Sequence, residues 1–217
     1  MAMPTNYAQS ERADLCSLFE EVGPDMPTLC EGWTTRDLAA HLVVRERRPD
    51  AALGILAAPF ERHGEKVRLA TASQPWEQLV ELVRSGPPRL SMFAIPAVDR
   101  AANTMEYFIH HEDVRRAQPD AEPRDLDARF AGELWNVVRR MSKLMLRKAP
   151  AGVTLVLPSG GEPAGQVVSH KGEPMVRVTG AAGELALFVY GRQDQARVQM
   201  DGPDDAVHAV RTASFGI

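Results

Sequence analysis

The sequence predicts an α+β protein: a helical bundle over residues 1–150, then a small α+β unit over 151–217. Three observations predict it. Apolar residues recur with a helical period through the first two thirds of the chain. The period then gives way to short β-rich runs after APAG, Ala149 to Gly152. Helix starts and stops are punctuated by Thr, Ser, Pro and Gly at the positions where those residues cap or break helices.

Each element has its own justification. From about Tyr7 to Val22, Leu15, Cys16, Leu18, Phe19 and Val22 fall near one helix face, and GPDMP breaks the pattern. Thr34 or Thr35 caps the next helix, because TTRD reads as a capping box with Asp in the place of Glu. That helix runs through DLAAHLVVRERR and restarts after Pro49 into AALGILA. A third opens at SQPWEQLVELVRS, with Ser73 as N-cap and Pro75 in the first turn, and GPP ends it. A fourth spans about Ala101 to Arg116. A fifth spans about Asp125 to Lys148, with Phe130, Leu134, Val137, Val138, Met141, Leu144 and Met145 as its apolar stripe. Beyond the linker, VTLVLP, QVVSH, MVRVTG and ARVQMDG read as strands. GELALFVYG and PDDAVHAVRTA read as short helices.

Composition excludes several classes. A formal net charge of −4, with no dense Lys/Arg cluster, argues against a nucleic-acid partner. No apolar run approaches the ~20 residues that span a bilayer, so no membrane is predicted. MAMPTNYAQSERADL has no apolar signal core, and the expectation is a cytoplasmic protein. Cys16 and Cys30 are the only cysteines and form no CxxC motif. The chain has no internal repeat and no Gly-rich phosphate loop. Its oligomeric state is not legible.

The chemistry concentrates in two places. His41 shares a helical stripe with Leu38, Leu42 and Arg45, so its ring should face the bundle interior. In EYFIHHEDVRR, Glu106 and His110 stand four residues apart and therefore one above the other, with Asn103 and Asp113 on the same face. A buried carboxylate costs several kcal/mol unless it is paired or metal-bound. Two histidines and one carboxylate are the protein ligands of many catalytic zinc sites, with a fourth position left open. The same spacing also suits a plain polar contact, and helical periodicity alone does not show that the two helices face each other.

The motifs resemble a known family. LCEGWTTRDLAAHLVVRE, followed some sixty residues later by NTMEYFIHHEDVRRA, resembles the mycothiol-dependent maleylpyruvate isomerase family of actinobacteria. The first hallmark, Gly-Trp-(Ser/Thr)-x-x-(Asp/Glu)-(Leu/Val)-x-x-His, is carried here by Gly32, Trp33, Thr34, Asp37, Leu38 and His41. The second, Glu-x-x-x-His with an Asp three residues on, is carried by Glu106, His110 and Asp113. The resemblance implies a DinB-like metal-binding four-helix bundle with His41, Glu106 and His110 as ligands. GELALFVYGR resembles the small sterol-carrier-like α+β domain that often follows that bundle. The family also uses an arginine near thiol and substrate, for which Arg45, Arg68 and Arg84 are the candidates here.

The remaining polar and aromatic residues carry lesser expectations. Trp33 reads as a staple on the helix start, His111 as a surface or supporting residue, and Glu112 as solvated. Asp113 is either an orienting partner for a histidine or a helix-end contact. Cys16 reads as core, Cys30 as an incidental thiol, and His63, His170 and His208 as unremarkable polar positions. Three functions fit these readings. The resemblance implies a divalent-metal enzyme, with zinc as the first choice and nickel the second, that activates mycothiol for isomerisation or S-transfer on a small electrophile. A hydrolase using metal-bound water is the first rival, with Asp113 or Asp37 as base. A metal-stabilised binding protein without turnover is the second. No catalytic residue beyond the ligands is assigned.

Overall fold

The computed structural model describes residues 6–51, 61–88, 96–158 and 165–215. The chain divides into two compact units, Met1–Ala121 and Glu122–Ile217. The change of texture places the boundary near residue 150. The division falls earlier because the helix before that linker packs with the sheet that follows it.

The first unit holds α1 (Tyr7–Val22), α2 (Thr35–Arg47), α3 (Glu61–Ala72), α4 (Trp76–Arg84) and α5 (Pro96–Arg115). α1 lies along α5, α2 along α3, and α4 packs on both α1 and α2. The core joins Leu15, Cys16 and Phe19 of α1 to Leu38, Leu42 and Val43 of α2, Leu79, Val80 and Val83 of α4, and Tyr107 and Val114 of α5. α2 begins with the predicted box: the Thr34 N–H donates to Asp37 Oδ2 at 3.1 Å. That box fixes the helix start and hence the rotation that turns His41 toward α5.

Two local expectations change. Pro75, not Ser73, is the N-cap of α4, and the Ser73 hydroxyl donates back to Ala70 O at 2.8 Å. Proline disfavours helical backbone in the residue before it, here Gln74, so the helix does not run on from Ser73. α3 carries no clear apolar stripe and periodicity does not show it. It is tied down by Val67, which clusters with Val44 of α2, by Ala72 in the core, and by buried Arg68, which pairs with Asp37 of α2 at 2.6 Å. The predicted continuation into AALGILA lies, but for its first residue, outside the described residues.

A buried polar network crosses this core. Arg12 of α1 donates twice to Glu46 of α2, at 2.6 and 2.7 Å. Tyr107 Oη and Asn103 Nδ2 of α5 donate to the same carboxylate at 3.0 and 3.1 Å. Glu46 thus meets donors from α1 and α5 at once, which fixes the register of three helices.

The second unit holds α6 (Ala128–Met145), β1 (Gly152–Leu157), β2 (Gly165–His170), β3 (Met175–Thr179), α7 (Ala182–Val189), β4 (Gln199–Asp201) and α8 (Asp204–Thr212). The sheet runs β2-β1-β3-β4, with β1 and β3 parallel and the outer pairs antiparallel. Asp127 caps α6 by accepting the N–H groups of Arg129 and Phe130. α6 packs on α7 and β2, where Ser169 and Ser142 hydroxyls meet at 2.8 Å. Its buried stripe contains Phe130, Leu134, Trp135, Val138 and Met145, while Leu144 is exposed. Among the described residues, no helix is long and apolar enough to cross a membrane.

Candidate metal centre

α2 and α5 bring the three predicted ligands together. One donor atom from each of His41, Glu106 and His110 lies within 4.8 Å of the others. Glu106 Oε1 stands 3.4 Å from His41 Nε2 and 3.3 Å from His110 Nε2. Those separations are at the long end of the range for hydrogen bonds, which centre near ~2.9 Å. A tetrahedral ion with bonds of ~2.0–2.1 Å would set its donors ~3.3–3.4 Å apart. The two Glu106 separations match that spacing. The side chains are mostly covered, at 12, 24 and 12% exposure for His41, Glu106 and His110.

The surrounding residues fix this geometry. Asp113, fully buried one turn beyond His110, accepts from its Nδ1 at 2.9 Å. A carboxylate only accepts, so the proton sits on Nδ1 and Nε2 is the atom turned toward Glu106. Of the two roles left open for Asp113, this is the orienting one. The Trp33 ring lies 5.2 Å from the His41 ring, and the two histidine rings meet edge-on at 5.3 Å. Trp33 also packs against the core and lies under the Arg68 guanidinium at 4.9 Å. Of the three candidate arginines, Arg45 reaches the centre: its Nε donates to Glu106 Oε1 at 3.1 Å, and it bonds Asn103 as well. Arg68 holds α3 to α2. Arg84 pairs with Glu20 on the surface.

The charges follow from these contacts. Burial favours the neutral acid of Glu106, but hydrogen bonds from His110 and His41, with the charges of His110 and Arg45, hold it well below the usual carboxylate range. Burial likewise opposes a charged His110. Asp113, Cys30 and Glu106 outweigh it and push that pKa well above the usual value. His41 is lowered, chiefly by burial. Without an ion, the proton on His110 therefore serves as the cation between the carboxylates.

Several readings of the sequence change. His111 is buried, and its Nδ1 contacts Glu11 of α1 at 3.0 Å. Glu112 is buried rather than solvated and accepts from Arg115 and Arg116 at 3.0 and 2.6 Å. Cys30 is not incidental: its Sγ donates to Asp113 Oδ2 at 3.3 Å. Cys16 is core, and burial pushes its thiol up to about 12. His63 and His208 are exposed and His170 is half-buried. The contact of Cys30 with Asp113 left no trace in local spacing, because the two residues are 83 positions apart.

No family model matches this chain, and no curated protein matches it. Two solved structures do. One is a mycothiol-dependent maleylpyruvate isomerase, at a TM-score of 0.59 and 14% identity over 90% of each chain. The other is a point mutant of a mycothiol-dependent maleylpyruvate isomerase, at 0.61 and 13% over the same shares. At this identity the likeness is one of fold. It extends along both units, so the mixed helix-and-sheet order of this chain is that of a known architecture.

Proposed function

We propose that the chain is a metal-dependent enzyme that activates a low-molecular-weight thiol, mycothiol, for isomerisation or S-transfer on a small electrophile. The convergence of His41, Glu106 and His110 at ion-ligand spacing carries this reading. The likeness in fold to structures described as mycothiol-dependent maleylpyruvate isomerase supports the choice of thiol. On this reading the first unit is a DinB-like metal-binding bundle and the second a sterol-carrier-like domain. His41, Glu106 and His110 hold the ion, zinc before nickel.

A divalent ion held there lowers the pKa of a coordinating thiol, so thiolate is present at neutral pH. The chain's own residues do the rest. Asp113 holds the His110 ring with its Nε2 toward Glu106, where it would serve as a ligand. Arg45 contacts Glu106 Oε1 and adds its charge to the hydrogen bonds from His110 and His41 that keep Glu106 ionised. Trp33 packs beside the His41 ring.

The test uses the cobalt-substituted full-length protein. The three ligands contain no sulfur, so a sulfur-to-cobalt charge-transfer band should be absent until mycothiol is added. It should then appear, and more strongly as pH rises toward the thiol's own pKa of about 8.5. Changing Cys16 and Cys30 to Ser should leave that thiol-induced band in place. No band at saturating mycothiol removes the thiol reading. Turnover without thiol would then favour a hydrolase, and metal binding with neither would favour a binding protein.

A further inference from the structure

His110 faces two sets of donors. Its Nε2 is turned to Glu106 and His41, and its Nδ1 to Asp113 and Cys30. On the second side, one donor atom from each of Cys30, His110 and Asp113 again lies within 4.8 Å of the others. Cys30 is held there by more than its own side chain. The Leu29 N–H donates to Asp113 O at 3.0 Å, and the Cys30 N–H donates to Thr28 Oγ1 at 3.2 Å. Thr28 Oγ1 in turn donates to Trp33 O at 2.9 Å. The turn before α2 therefore presents a sulfur to α5 from a fixed backbone, against a fully buried carboxylate.

We propose that Cys30, His110 and Asp113 form a second metal position, selective for thiophilic ions such as cadmium and exclusive of the first. Thiolate, imidazole and carboxylate are a ligand set for soft or borderline ions, while the His41 side offers only nitrogen and oxygen. Exclusion follows from the shared ring. A neutral imidazole has one lone pair, so His110 serves the Glu106 side through Nε2 or the Cys30 side through Nδ1, and not both. A thiophilic ion on Nδ1 takes a ligand from the other position, and cadmium therefore displaces the working ion by competition for His110. This assignment stands on its own donors; only the displacement rests on the proposed His41 centre.

The experiment is a titration of metal-stripped full-length protein with Cd2+ alone and with Co2+ alone, read by absorbance. Cd2+ should give a sulfur-to-cadmium charge-transfer band that is lost in Cys30→Ser and retained in His41→Ala. Co2+ should bind without a sulfur band, and that binding should be lost in His41→Ala and kept in Cys30→Ser, which also shows the latter variant to be folded. Prior loading with Cd2+ should weaken Co2+ uptake roughly tenfold or more. No cadmium–sulfur band, or one that survives in Cys30→Ser, overturns the proposal. So does a band that requires His41, which would make Cys30 part of the first centre, or Co2+ uptake indifferent to bound Cd2+. Co2+ retained in His41→Ala with the cadmium behaviour as expected would instead remove the His41 centre and leave the Cys30 position standing.

Discussion

α2 and α5 meet around two carboxylates, and the two are satisfied in opposite ways. Glu46 accepts two short hydrogen bonds from Arg12 and two more from Tyr107 and Asn103. Every contact is at hydrogen-bond length and the cation is built into the chain. Glu106 faces two imidazoles at 3.3 and 3.4 Å, with Arg45 at 3.1 Å. The first cluster is complete and gains nothing from a ligand. The second holds its donors apart, at the spacing of an ion's coordination sphere. The two buried clusters between these helices thus differ in the lengths of their contacts.

Substitutions should separate the two clusters. Arg12→Ala leaves Glu46 buried without its cation and should cost about 3–5 kcal/mol of stability in chemical denaturation. The variant that remains folded should still bind metal. His41→Ala should do the reverse. It should weaken metal binding on the order of 100-fold, about 2.7 kcal/mol, with the helical circular dichroism unchanged. Full metal content in purified His41→Ala, by elemental analysis, would remove the ligand assignment.

Asp113→Asn keeps the shape but no longer fixes the His110 proton by charge. Metal affinity should fall ~10–100-fold, less than for a lost ligand. An affinity equal to wild type would reduce Asp113 to a packing residue.

The smallest effect is in pH. His110 has a raised pKa in the metal-free fold, so its cation stabilises the fold below its unfolded value of about 6.5. That contribution is lost as pH rises through the raised folded value. Glu106 has a lowered pKa and contributes above about 4.5, with the loss on acidification. Between those limits the metal-free protein has both contributions. Metal must displace the His110 proton, so affinity should rise with pH and calorimetry in buffers of different ionisation heat should show proton release.

What the sequence determined by itself was local and periodic. The α1 limits, the capping box at Thr34 and Asp37 and the order of the strands follow from caps, turn residues and the two periods. Glu106 and His110 were legible as a pair because a helix turn sets them on one face. His41 was legible as an inward histidine from its stripe. Tertiary structure alone decided that these two helices face each other. It also decided that α6 belongs with the sheet, that Arg45 rather than Arg84 reaches the centre, and that His111 and Glu112 are buried. The pairings of Arg12 with Glu46, His111 with Glu11 and Cys30 with Asp113 join residues 34, 100 and 83 positions apart. Such contacts depend on how helices pack, and packing is set by the sum of many apolar contacts rather than by the spacing of any one pair.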